Sequence, residues 1–222
     1  MPKLPDVRAA AAARSAFAAL ALCVLAATLS AQTAPGAPTG PAAPLSPFAS
    51  QRIIVVPVQM LRGDSASWVT APQWERFRRE LDDSIGAALS DRGIGRRWEY
   101  ASGVVRQSKL NSLYVGDPYA VGAQPLRGQA YKVNDRMPDM MSQNLRTIVA
   151  LGDARYALVP VELVFERNGA RQRAVLRLAL VDARTTTFMW VADAVSDGAA
   201  TMPAGLAGIL GQRVADFVVP RP

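Results

Sequence analysis

The sequence predicts an α/β (α+β) domain: a mixed sheet with helices packed on it, in the order β-α-β-α-(α)-β-β-β-α, ending in an antiparallel meander and a helix. Three observations predict it. Residues 53–58 are a short continuous apolar run, the pattern of a central strand buried on both faces. Residues 72–91 repeat apolar side chains at steps of three and four, the period of an amphipathic helix. Two long apolar stretches flank Asn168-Gly169, a strong short-range hairpin signal.

Each element follows from its local pattern. In the first helix Trp74, Phe77, Leu81, Ile85 and Leu89 form one stripe, Glu75, Arg78, Arg79, Asp82 and Asp83 face water, and Gly93 ends it. Arg97–Ala101 reads as a second strand and 102–113 as a short helix. Residues 137–151 read as another helix, with Met141, Leu145 and Ile148 on one face and Gly152 as its stop. Tyr156–Phe165 and Gln172–Asp182 then form a hairpin. A two-residue turn at Asn168-Gly169 sets Leu163 opposite Ala174, Val161 opposite Leu176, Val159 opposite Leu178 and Ala157 opposite Leu180. Every pair is apolar, as a buried face requires. A turn over Ala183–Thr186 leads to a third strand, Thr187–Ala194. Residues 203–218 close the chain as a helix with Leu206, Ile209, Leu210, Val214 and Phe217 inward.

The order of these elements resembles the small periplasmic domain shared by the TolB N-terminal domain, the penicillin-binding-protein activator LpoB and the core of the curli secretion protein CsgG. Two motifs carry the resemblance. One is Gly152-Asp153-Ala154-Arg155-Tyr156-Ala157-Leu158-Val159, a helix end running into an apolar strand. The other is Leu180-Val181-Asp182-Ala183 followed by Trp190. The resemblance implies a non-catalytic domain that binds partner proteins in the periplasm or at the outer membrane. The chain departs from the group in having no propeller and no long amphipathic hairpins, and in carrying Thr186 where the turn often has glycine.

Ahead of the domain, residues 1–14 are basic on balance and 15–29 are uncharged and apolar, about 15 residues against the ~20 that a spanning helix needs. Ser30 and Ala31 follow. This is the anatomy of a secretory signal peptide, with cleavage expected after Ala31 and a periplasmic or secreted product. Leu22 precedes Cys23 where a lipid-attachment site wants a small residue, so a lipoprotein is not expected. Residues 32–50 hold Pro35, Pro38, Pro41, Pro44 and Pro47 among Ala, Gly and Thr and read as a semi-extended linker. The domain is assigned to 51–222.

Composition removes whole classes of chemistry. The chain has no histidine, and its one cysteine is Cys23, within the signal. A Ser-His-Asp triad, a Cys-His dyad and a His- or Cys-based zinc site are therefore excluded, and no cofactor or metal is expected. Gly93-Ile94-Gly95 follows a helix instead of opening one and fails the dinucleotide fingerprint. Net charge is +7 and is carried almost wholly by arginine. This excess reads either as the arginine and alanine codon bias of a GC-rich genome or as a surface that prefers anionic partners, for an exported chain lipid headgroups or cell-wall polymer before nucleic acid.

No catalytic residues are assigned. Two binding candidates stand out. Residues 111–136 mix Gly116, Gly122 and Gly128 with Pro118 and Pro125, and hold Tyr114, Tyr119 and Tyr131. A long irregular segment with stiff amphipathic aromatics suits recognition; it also suits an insertion that covers a sheet edge. In the predicted register Glu162 lies on the non-core face, diagonal to Arg173 and Arg177, giving either an anion site on two arginines or a cross-strand ion pair. The functional reading is an exported, non-enzymatic domain that binds another periplasmic or outer-membrane protein. Alternatives are a small-ligand binder or hydrolase working with Asp, Glu, Tyr and Arg, and a structural subunit of an outer-membrane assembly.

Overall fold

The structure, a computed structural model, describes residues 43–62 and 68–220. The expected signal peptide, Cys23 and most of the expected linker lie outside these residues. The packed chain nevertheless begins before residue 51. Leu45 is buried, its N–H donates to the Phe217 carbonyl at 2.9 Å, and Phe48 packs edge-on against Tyr156 at 5.3 Å between ring centroids.

The elements follow the predicted order. They are β1 (Ile53–Val55), β2 (Met60–Arg62), α1 (Ala71–Asp91), β3 (Trp98–Glu99), α2 (Ala101–Leu110), α3 (Asp139–Leu151), β4 (Tyr156–Asn168), β5 (Arg171–Asp182), β6 (Thr187–Val195) and α4 (Leu206–Asp216). The sheet runs β3-β1-β4-β5-β6, with β1 parallel to both neighbours and β4-β5-β6 an antiparallel meander.

Two departures from the sequence reading fall at one place. The apolar run 53–58 is not one strand. It ends at Val55, and the chain resumes as β2, parallel to β4 further along the same edge. Opposite the interruption the β4–β5 register shifts between Pro160 and Glu162. Proline lacks an N–H for the ladder, and Pro57 and Pro160 sit on the two sides of this break. The chain still crosses it in contact: Val56 N–H donates to Leu158 O at 3.1 Å, and Gln59 N–H to Pro160 O at 2.9 Å.

The predicted hairpin register is also corrected. The turn residues are Gly169 and Ala170, so Asn168 pairs with Arg171, Phe165 with Ala174 and Leu163 with Leu176. Gly169 takes φ 61° at the first central position, where a type II′ turn needs glycine. Displacement by two residues keeps each side chain on its face; the bulge at Val161 then changes the face. Leu163 and Phe165 pack with α1 and α4, whereas Val161, Val159 and Ala157 pack with α3.

The sheet therefore separates two apolar layers. One joins Leu81, Ile85 and Leu89 of α1 to Leu210 and Val214 of α4 through Leu158, Leu176, Leu178 and Leu180. Gly211 makes this layer close: a Cβ there would meet the Ser84 carbonyl oxygen at 2.6 Å. The other joins Met141, Leu145 and Ile148 of α3 to Ile54, Val159, Ala179 and Phe188. Among the described residues no helix is long and apolar enough to cross a membrane.

Candidate functional site

Residues 111–136 pack over the α3 side of the sheet and are not an outlying loop. Val115, Val121, Ala123, Leu126 and then Met137 are buried in the second apolar layer. Gln59, itself buried between β1 and β2, fastens the segment. Its Nε2 donates to Pro57 O at 2.7 Å and Pro118 O at 2.9 Å, and its Oε1 accepts from Val121 N–H at 3.0 Å. The segment's last residues zip onto the outer side of β6. Asn134 N–H donates to Phe188 O at 2.8 Å, Phe188 N–H to Asp135 O at 3.0 Å, and Met137 N–H to Thr186 O at 2.9 Å.

The three tyrosines consequently occupy different environments. Tyr131 is half-buried and stacked on Phe188 at 4.8 Å, and burial raises its phenol above the ordinary range. Tyr119 lies over the Arg78 guanidinium at 4.1 Å from its ring centroid, a cation–π contact. Tyr114 is 80% exposed. The segment presents one free tyrosine and holds two within the fold.

The Tyr119 contact belongs to a group that the helical pattern misplaced. Asp82 and Arg78, expected in water, are covered. The Arg78 side chain retains 12% exposure and pairs with Glu75. Asp82 is buried, and its Oδ1 accepts the Val58 N–H at 2.8 Å just after β1 ends. Among the described residues its Oδ2 has no partner within hydrogen-bond distance. Burial pushes the Asp82 carboxyl up to about 7, against smaller opposing effects of the Val58 N–H, Arg78 and the nearby Tyr119 hydroxyl. Carboxyl, phenol and guanidinium thus meet in one place, but neither cleft described below is lined by Asp82.

Glu162 likewise contradicts its predicted position. It is fully buried, beneath the end of the 111–136 segment. It lies directly opposite Arg177 and accepts from Arg177 Nη1 at 3.4 Å and Gly128 N–H at 3.2 Å, with Arg62 Nη1 at 3.8 Å. Arg177 also binds Asp193 at 3.0 Å and Gln129 O at 3.3 Å. Arg173 is opposite Glu166 and holds it through two hydrogen bonds, at 2.9 and 2.7 Å. The two arginines therefore serve separate carboxylates and form no joint anion site. Over Glu162 lies a cleft of about 470 Å³ walled by Arg62, Tyr131, Arg177, Val191 and Asp193.

The larger cleft, about 830 Å³, was not read from the sequence. It runs between the second half of β6 and α4, with Ala194, Val195, Ile209 and Phe217 as its apolar wall and Asp193, Gln212, Arg213 and Asp216 among its polar residues. Ile209 and Phe217, expected inward, are partly exposed here. Beyond the bridge at Thr187 and the bonds at Phe188, no described strand pairs with the outer side of β6. A signal for this existed: β6 closes the meander, and the next element in sequence is a helix and not another strand. Among the described residues no group of three or more His, Cys, Asp or Glu is placed to hold a metal ion.

No family model and no curated protein matches the sequence. Comparison with solved structures finds likenesses of fold. The chain is similar to a PelC dodecamer from Paraburkholderia phytofirmans, at 12% identity over 78% of this chain and 87% of that one, with a TM-score of 0.37. It is similar to E. coli LpoB at 14% identity, covering 90% and 85% of the two chains, with a TM-score of 0.35. It is also similar to the lipoprotein GNA1162 from Neisseria meningitidis at 17% identity, covering 75% and 96%, with a TM-score of 0.36. LpoB was named in the sequence resemblance; TolB and CsgG are not among these three. The expectation against lipid attachment concerns Cys23, which lies outside the described residues. The comparisons are likenesses of fold and bring no residue's role with them.

Proposed function

We propose that this chain is an exported, non-enzymatic interaction domain that binds another envelope protein along the outer side of β6. One observation carries the reading: a strand edge that is unpaired among the described residues lies beside an apolar cleft. Unpaired backbone N–H and C=O groups recruit an extended segment by β-strand addition, and neighbouring pockets then select its side chains. The 189–195 stretch supplies the edge, and Val195, Ile209 and Phe217 supply the pocket. The exposed Arg173 is a second candidate for contact, away from the cleft lining.

The test is affinity capture from envelope extract with the exported form and with Ile209→Arg, whose added charge points into the cleft. Capture of a defined partner by the parent and its loss in the variant, at unchanged thermal midpoint, supports the reading. Equal capture by both removes it.

A further inference from the structure

A second surface differs in kind from the β6 cleft. Leu110, Leu113 and Tyr114 stand 75%, 90% and 80% exposed at the end of α2 and in the turn after it. Three large apolar side chains within five residues are not the scattered single exposures of an ordinary surface. The turn holds them outward. Asn111 Nδ2 donates to Gln107 O at 2.8 Å, Tyr114 N–H and Val115 N–H both donate to Asn111 O, and buried Val115 anchors the far side. The tip therefore does not need to reorganise in order to present them.

Their shape and charge indicate what they meet. Side chains this exposed protrude, whereas a groove-binding partner needs walls around its contacts. Protruding leucines and a tyrosine fit a bilayer surface: leucine enters the acyl boundary and tyrosine rests at headgroup level. Within residues 101–116 every charged side chain is basic, the flanking Glu99 and Asp117 being the nearest acidic residues in sequence. Arg106, Lys109 and Leu110 lie three and four residues apart on α2, hence on one face, and both cations are exposed. From Ala101 to Gly116 there is no Asp or Glu. Basic side chains beside an apolar tip are drawn to anionic headgroups within a Debye length.

We propose that the tip formed by Leu110, Leu113 and Tyr114, with Arg106 and Lys109 behind it, docks on an anionic lipid surface. This inference goes beyond the protein-binding reading and rests on a different face, so either can fail alone. The two together would place the domain on a membrane with its β6 side free to take a partner.

The test is co-sedimentation of the exported form, without residues 1–31, with mixed phosphatidylglycerol and phosphatidylcholine vesicles, using pure phosphatidylcholine as control. The described residues by themselves supply both apolar layers. Binding is expected to the anionic vesicles, falling about tenfold in Leu113→Asp. It is also expected to fall in the Arg106→Glu, Lys109→Glu double variant and on raising salt. Tyr114→Ser is a second variant that avoids adding charge. Absence of binding overturns the proposal. So does binding that is unchanged in Leu113→Asp and Tyr114→Ser, or that is equal on neutral vesicles. Self-association of the lipid-free chain that Leu113→Asp dissolves, without vesicle binding, would identify the tip as an interface between copies and also overturn it.

Discussion

The Asp82 carboxylate on α1 accepts the backbone N–H of Val58, 24 residues earlier in the chain, at 2.8 Å. It thereby satisfies a donor exposed where β1 stops and the interrupted edge begins. The bond ties the first helix to the point where the sheet changes register. It also puts an ionisable group where water is scarce, since burial raises Asp82 to about 7 from 3.8.

That shift sets a pH dependence. The folded-state pKa is above the unfolded value, so between about 4 and 7 the folded state binds the extra proton. Stability therefore falls as pH rises through this window and levels off above it. Asp82→Asn keeps an oxygen for the Val58 N–H and removes the charge. It is expected to raise stability by about 2 kcal/mol at pH 8 and to change it little at pH 4. Thermal midpoints of both proteins across pH 4–8 check this; a difference that does not grow with pH refutes the assignment.

Leu176 lies in the central strand of the meander, opposite Leu163 and Ala194, and is fully buried between α1 and α4. Leu176→Ala is expected to cost ~2–5 kcal/mol. Urea unfolding that shows a loss below ~0.5 kcal/mol, the size of a surface effect, would contradict the observed burial.

The β5–β6 turn carries a non-glycine residue in the left-handed region, Thr186 at φ 60°. Asp182 organises the turn. Burial alone would raise its carboxyl, but hydrogen bonds from Arg155, Thr185 and Arg184 hold it below the usual range. For a β-branched residue the left-handed conformation costs about 1–2 kcal/mol, and glycine relieves it. Thr186→Gly is expected to stabilise the domain by about 1 kcal/mol, read as a rise in thermal midpoint. A lower midpoint would mean that the packing of the buried Thr186 side chain outweighs the backbone strain.

The tyrosines of the 111–136 segment separate by environment. Tyr131→Ser removes a ring stacked on Phe188 and is expected to cost on the order of 2 kcal/mol. Tyr114→Ser, at an exposed position, is expected to leave stability within about 0.5 kcal/mol. Parallel denaturation curves decide it; equal effects would overturn the division into packed and free aromatics.

Much of the fold was legible because its rules are local. Apolar period placed α1, α3, β4, β5 and α4 to within a few residues at each end, and a glycine turn identified the hairpin. The departures came from groups whose meaning is not local. The helical pattern assigned Asp82 and Arg78 to water because they sit beside the apolar stripe. Only the approach of Val58 and Tyr119, from other parts of the chain, covers them. The hairpin signal fixed the turn to within one residue, but which pair formed its corner depended on the left-handed φ of Gly169. The bulge at Val161 follows Pro160 in β4, beside the stretch where β1 gives way to β2.

The sequence by itself determined the class of the fold, the order of its elements, the apolar faces of its helices, and the absence of histidine and of any cysteine beyond Cys23. These follow from residue type and period, which need no knowledge of distant neighbours. Tertiary structure alone decided which polar groups are buried, which tyrosine is free, and where the open surfaces lie. Glu162 became a core residue when Gly128 and Arg62 closed over it. The cleft beside β6 exists because the meander ends there and α4 packs only part of the way along it. Such properties depend on contacts between residues far apart in the chain, and a one-dimensional pattern does not encode which of those contacts form.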